Sequence, residues 1–272
     1  MKFIIGIVLL LIMISLMPAA AENIWDLQAV NSTGLGIHPK VGASVTDPTN
    51  KVIIEGIALN NTAEYLNTAS SWQIYIQAES PDKGGIAAWA GTFYRNTPWP
   101  RYPLDIDAGD RVRVEGFLMN ARGKANINER HSPDPSITFT VTKLASGVGM
   151  PAPQVIDNLA DCNYFDETRV GGGEKYQAQW VKLSRVHIVS GIWENDKDLV
   201  IADDTGSTLT MRLSAMGDFG SHSAPGGNFQ VTGIFDQEDL AAPFTDSYRI
   251  WVKRYSDIEF MTDIKNWHEF KN

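Results

Sequence analysis

The strongest constraint on this chain is a rhythm: short runs rich in Val, Ile, Thr and aromatic residues alternate apolar with polar and are broken by Gly, Asp, Asn and Pro. Successive side chains of a strand point to opposite faces, so period two marks a half-buried strand and the turn residues mark its ends. The pattern predicts strands at Val52 to Leu59, Trp72 to Ala78, Gly85 to Ala90, Arg111 to Met119, Lys124 to Asn128 and Ile137 to Lys143. A second set follows at Gln177 to Val189, Asp198 to Ala202, Thr208 to Leu213, Phe229 to Phe235 and Tyr248 to Tyr255. Only Ala152 to Phe165 and the tail after Phe260 read as helix, so the expected class is all-β.

The two sets look like one unit written twice. Each has a long first strand, a short hairpin, an irregular stretch and a Gly-led strand. The clearest echoes are Gly109-Asp110-Arg111-Val112-Arg113-Val114-Glu115-Gly116 and Gly226-Gly227-Asn228-Phe229-Gln230-Val231-Thr232-Gly233. In each, the final Gly suits the bulge or bend by which a small barrel turns its corner. Ser146 to Pro153 reads as a linker. The expected organisation is a signal peptide (1–21), an N-terminal extension (22–44), barrel 1 (45–145), the linker (146–153), barrel 2 (154–262) and a tail (263–272).

Five strands with a long connection after the third is the plan of an OB-fold, a Greek-key barrel that binds oligonucleotides or oligosaccharides. The pattern of Val52-Ile53-Ile54-Glu55-Gly56, Trp72 to Gln77 and Gly109 to Gly116 resembles the OB-fold modules of secreted bacterial proteins, including those attached to extracellular nucleases. Asp198 to Gly206 and Gly226 to Gly233 fit it more loosely. The resemblance implies two five-stranded OB-like barrels in tandem and a nucleic-acid-binding role by analogy of fold alone.

Lys2, an apolar run from Phe3 to Met17 and the small residues Pro18-Ala19-Ala20-Ala21 have the form of a secretory signal peptide cleaved before Glu22. The expected location is secreted or periplasmic, with no membrane contact after cleavage. Cys162 is the only cysteine, so no disulfide within the chain is available, and a small buried hydrophobe is its expected role. Asn31-Ser32-Thr33 and Asn60-Asn61-Thr62 match the glycosylation acceptor pattern. The formal net charge of −9 repels polyanions at long range. The excess is uneven: Val45 to Ala145 carries 10 basic against 11 acidic residues, and Met150 to Thr262 carries 9 against 17. A polyanion site is therefore expected in barrel 1.

The strand Trp72 to Gln77 offers Gln73, Tyr75 and Gln77 on the face opposite Trp72, Ile74 and Ile76. Arg111, Arg113, Arg122 and Lys124 follow on later strands, where they are expected to line an OB groove. Trp89 to Tyr102 alternates aromatic residues with arginines in a Pro-containing loop. Rings stack on bases for about 1 to 3 kcal/mol each while Arg holds phosphate. The expected ligand-binding residues are Tyr75, Trp89, Phe93, Tyr94, Arg95, Trp99, Arg101, Arg111, Arg113, Arg122 and Lys124. Single-stranded nucleic acid is preferred to glycan through barrel 1. The competing readings are a structural or protein-interaction module of the cell exterior, or an accessory unit of an extracellular enzyme.

No catalytic pattern is found. Asp105, Asp107 and Asp110, and the acids from Glu194 to Asp204, lack the spacing of a calcium loop and read as turns. The five histidines fall in no zinc pattern, Ser221-His222-Ser223 is no nucleophile elbow, and Gly171-Gly172-Gly173 precedes a strand rather than a helix. No cofactor or metal is expected, and a binding function without catalysis is the reading taken forward.

Overall fold

A computed structural model describes residues 20–64, 71–79, 84–91, 105–130, 132, 134 and 136–261. The first barrel comprises β1 (Lys51–Ala58), β2 (Ser71–Gln77), β3 (Gly85–Gly91), β4 (Arg111–Ala121) and β5 (Lys124–Asn128). The strands pair in the order β1-β2-β3-β5-β4, and β4 returns to β1 and closes the sheet on itself. β3 and β5 run parallel and the other neighbours antiparallel. A further strand, β6 (Thr140–Ala145), adds to β4.

The second half repeats this plan after a short parallel strand, β7 (Gln154–Ile156). It comprises β8 (Trp180–Gly191), β9 (Asp198–Ala202), β10 (Thr208–Leu213), β11 (Phe229–Gln237) and β12 (Tyr248–Val252). Their order is β8-β9-β10-β12-β11, closed by β11 on β8, with β10 and β12 parallel. β13 (Ile258–Phe260) adds to β11 as β6 adds to β4. The protein is thus all-β, two five-stranded OB-like Greek-key barrels in tandem. Closure leaves a barrel without the unpaired strand edges of an open sheet.

Alternation fills each interior. Val52, Ile54, Ile74, Ile76, Val112, Val114 and Ile127 are buried in barrel 1, and Val181, Leu183, Leu199, Ile201, Met211, Val231 and Ile250 in barrel 2. The echoing glycines take equivalent places. β4 pairs with β1 as far as Phe117 and with β5 from Phe117 onward, so Gly116 stands at the change of partner. β11 changes from β8 to β12 at Ile234, directly after Gly233. A Cβ on Gly116 would lie 2.8 Å from Ile127 Cγ2, and one on Gly233 would lie 2.4 Å from the Trp251 carbonyl oxygen. Both corners require the absence of a side chain.

The expected helix at Ala152 to Phe165 is corrected. Pro151 and Pro153 bias their neighbours to extended backbone, Gln154–Ile156 adds to β8, and only one 3-10 turn, Leu159–Asp161, follows. The last strand also stops earlier than its composition suggests: β12 ends at Val252, and a 3-10 turn at Tyr255–Asp257 leads to β13. The N-terminal extension is ordered on barrel 1. Asn23 caps the one-turn helix α1 (Ile24–Leu27), whose Ile24 and Leu27 are buried, and the Glu22 amide donates to the Ile53 carbonyl at 2.7 Å. Residues 1–19 of the expected signal peptide and the tail from residue 262, with its expected helix, lie outside the described residues. Among the described residues no helix is long and apolar enough to cross a membrane.

The glycine corners make a direct prediction. Gly233→Ala should cost about 2 kcal/mol or more in urea unfolding, because the new methyl group meets backbone. Gly227→Ala, with open space around the position, should stay within about 0.5 kcal/mol.

Candidate functional site

In an OB plan the ligand groove lies across strands two and three and the loops beside them. In barrel 1 this is the outer face of β2, β3 and β5, where the register sets Tyr75 beside Ala87 and Ala87 beside Asn126. That face is buried: Gln73, Tyr75, Gln77, Ala87, Lys124 and Asn126 are each less than a tenth exposed. Barrel 2 covers it. Leu59, Tyr75 and Ala87 form one apolar cluster with Ala178, Trp180, Ile234 and Trp251 of barrel 2, and Met150 of the linker packs against it. At Gly85 the backbones meet so closely that a Cβ would lie 1.8 Å from the Ala178 carbonyl oxygen.

The polar groups at this junction converge on Asp236. One carboxylate oxygen, Oδ2, accepts from Tyr75 Oη at 2.7 Å, Lys124 Nζ at 2.6 Å and Trp251 Nε1 at 2.8 Å. Lys124 also donates to Glu238 Oε1 at 2.5 Å, and Arg122 Nη1 donates to Glu238 Oε2 at 2.6 Å. Around this centre the Trp180 amide donates to Gln77 Oε1 at 2.8 Å, Gln177 Nε2 to the Gly123 carbonyl at 3.1 Å and Lys253 Nζ to the Leu59 carbonyl at 2.9 Å. Burial raises the Asp236 carboxyl above the usual range, with Lys124 opposing it, and burial together with Asp236 and Glu238 raises the Tyr75 hydroxyl well above its own. Burial acts on Glu238 too, but Lys124 and Arg122 beside it hold its carboxyl below the usual range.

The expected ligand residues therefore part company. Tyr75 is fully buried and hydrogen-bonded to Asp236, and Lys124 is closed between two carboxylates, so neither offers a ring face or a free cation to a ligand. Arg122 is partly exposed but paired with Glu238. Arg111 and Arg113 do not reach the groove. They stand on the β1–β4 face, where Arg113 Nη1 meets Glu55 at 2.8 Å and Arg111 Nε meets Glu79 at 2.9 Å. Trp89 is half-buried on β3 opposite Gln73. Phe93, Tyr94, Arg95, Trp99 and Arg101 lie outside the described residues. Sequence reasoning missed Asp236, Glu238 and Trp251; an acid on the outward face of a strand beginning Phe229-Gln230-Val231 was the only signal.

Other sequence features resolve as structure. Asn60 is buried, donating to the Gln73 carbonyl at 2.8 Å and accepting from the Tyr75 amide at 3.0 Å, so of the two sequons only Asn31 is exposed in the fold. Burial pushes the Cys162 thiol up to about 12 and keeps it protonated. Asp110 and Asp203 spend their carboxylates on Lys143 and on backbone amides. His222 stacks on Tyr255 with ring centroids 4.0 Å apart. An open cleft of about 610 Å³ on barrel 2 is lined by His187, Ile188, Asp203, Asp204, Gly206 and Pro225 to Asn228, and its Asp204 is already held by Arg185 at 2.7 Å. No group of three or more His, Cys, Asp or Glu among the described residues is placed to hold a metal ion. Comparison with known proteins adds nothing to these assignments, for no family model and no curated protein sequence matches the chain.

Two predictions follow from the buried charges. Lys124→Met leaves Asp236 unpaired in the junction and should cost about 3 to 5 kcal/mol in denaturant unfolding, whereas Arg122→Ala, at a half-exposed pair, should cost at most about 1 kcal/mol. Glu174 is buried and accepts from Tyr248 Oη at 2.9 Å, and burial raises its carboxyl from 4.5 to about 7. The folded protein keeps this proton where the unfolded chain has released it, so stability falls as pH rises from 4.5 to about 7. Glu174→Gln should remove that loss, unfolding at a higher temperature than the parent above pH 7 and losing the advantage below pH 4.5.

Proposed function

We propose that this protein is an exported, non-catalytic interaction module in which the two barrels act as one unit and a protein partner is met on their outer surface. The observation that carries this reading is the burial of the barrel 1 groove against barrel 2, with Lys124 held between Asp236 and Glu238. A groove that bound single-stranded nucleic acid would need exposed rings and unpaired cations. Tyr75 is instead enclosed, and Arg111, Arg113 and Arg122 each face a carboxylate within 3.6 Å. The net charge of −9 acts in the same direction. Export rests on the signal-peptide pattern of residues 1 to 21.

The test is fluorescence anisotropy of the chain from Glu22 to Asn272 with a labelled single-stranded DNA of roughly 20 nucleotides and with a neutral oligosaccharide of matched size. No binding to either at low salt is expected. Micromolar, salt-sensitive binding of the DNA would overturn the interaction-module reading in favour of nucleic acid, since backbone contacts made by several Arg and Lys weaken steeply between about 50 and 200 mM salt.

A further inference from the structure

The N-terminal extension is tied to both barrels. On one side, α1 buries Ile24 and Leu27 in the core of barrel 1. On the other side barrel 2 holds it, for Gln28 Nε2 donates to the Gln177 carbonyl at 3.1 Å and Arg169 Nη1 donates to the Trp25 carbonyl. The Arg169 guanidinium lies 4.1 Å from the centre of the Trp25 ring, where a cation is attracted to an indole face. The loop between β7 and β8 carries Arg169 there with φ at 58°, a left-handed conformation that a residue with a side chain enters at a cost. Asp166 fixes that loop by accepting from the amides of Thr168 and Gly171, both at 2.9 Å.

Arg169 has no carboxylate of its own. Among the described residues no ion pair joins it to one, and its charge faces Glu174 of the same loop and Asp26 on α1. Glu174 lies in a 3-10 turn, Gly173–Lys175, and is 1% exposed. Among the described residues its one hydrogen-bond donor is Tyr248 Oη on β12, at 2.9 Å. The Gly173 backbone is pressed onto the Tyr248 ring, where a Cβ would lie 2.3 Å away, so the loop and the tyrosine fit each other closely. The titratable and charged groups facing Glu174 are Tyr248 and Arg169. Asp246 and Asp239, on the connection from β11 to β12, face Tyr248 in turn.

A carboxyl shut away from water with one donor is comfortable as the neutral acid and costly as the anion. Once ionised it needs a cation, and Arg169 is the cation that faces it. Shielded from water, the attraction between opposite charges exceeds that of a cation for a neutral carbonyl, and a carboxylate matches the guanidinium fork. The guanidinium cannot lie on Trp25 and pair with Glu174 at once. The protonation of one buried acid therefore decides which of two partners holds Arg169.

We infer that Arg169 is a pH-dependent latch, which holds Trp25 of the N-terminal extension while Glu174 is protonated and moves to Glu174 when it ionises, releasing α1 from barrel 2. This goes beyond the interaction-module reading and does not depend on it. The test is fluorine NMR of the chain from Glu22 to Asn272 labelled with 5-fluorotryptophan, with Trp25→Phe and Trp72→Phe as assignments. The pH is taken from about 5 to about 9, the window in which a carboxyl raised toward neutrality by burial titrates. The Trp25 resonance is expected to move with a midpoint near 7 while that of Trp72, in the core of barrel 1, stays in place. The movement should vanish in Glu174→Gln, and in Arg169→Met the resonance should stand near its high-pH position throughout. Tyr248→Phe removes a donor that favours the charged carboxylate, so its midpoint should lie at higher pH. Should Glu174→Gln fail to fold, Tyr248→Phe decides in its place, an unmoved midpoint overturning the latch. No movement of Trp25, or the same movement in Glu174→Gln or Arg169→Met, would overturn it and assign any titration to another group such as His38. Trp25 and Trp72 moving together would also overturn it, in favour of a general loosening of the fold.

Discussion

The arrangement of this protein depends on one buried ammonium. Lys124 lies between Asp236 and Glu238, and the same Asp236 oxygen takes a hydroxyl from barrel 1 and an indole N–H from barrel 2. Desolvating these charges costs several kcal/mol for each ion, which the mutual attraction offsets only when geometry and hydrogen bonds are good. Here donors from both halves meet a single oxygen. The favourable part of the junction is the apolar cluster around Tyr75, Trp180, Ile234 and Trp251. The charges contribute register, because a misaligned docking would bury them unpaired.

Much of the fold was legible in local pattern. β5, β9 and β10 have the bounds that alternation and turn residues give them, and Gly116 and Gly233 stand at the corners where a barrel needs them. Each of these features depends on neighbours close in sequence or on the steric freedom of one residue. The misread stretch at Ala152 to Phe165 is different. A three-residue strand that adds in parallel to β8 carries too little periodicity to stand out from a helix.

The site was much less legible, for the same physical reason. Gln73, Tyr75 and Gln77 alternate with Trp72, Ile74 and Ile76, and alternation separates the core face from the other face without saying whether water or protein covers the latter. What covers it is Asp236, which is 161 residues from Tyr75. Lys124 and Arg122 flank a tight turn and read as cations lining an open groove. The burial of Lys124 depends on Asp236 and Glu238, in a barrel whose acidic excess served only to place a polyanion site elsewhere.

The contact at Gly85 bears on how such a protein can be divided. The two barrels follow one plan, yet here one backbone rests where the other lacks a side chain. The linker is no hinge between them, because Met150 packs against the shared apolar cluster and the Gly149 amide donates to the Gly109 carbonyl. Cutting the chain there would yield two halves, each with an apolar wound and an unpaired charge. The pair of barrels is therefore the smallest unit that can be moved or fused as a whole.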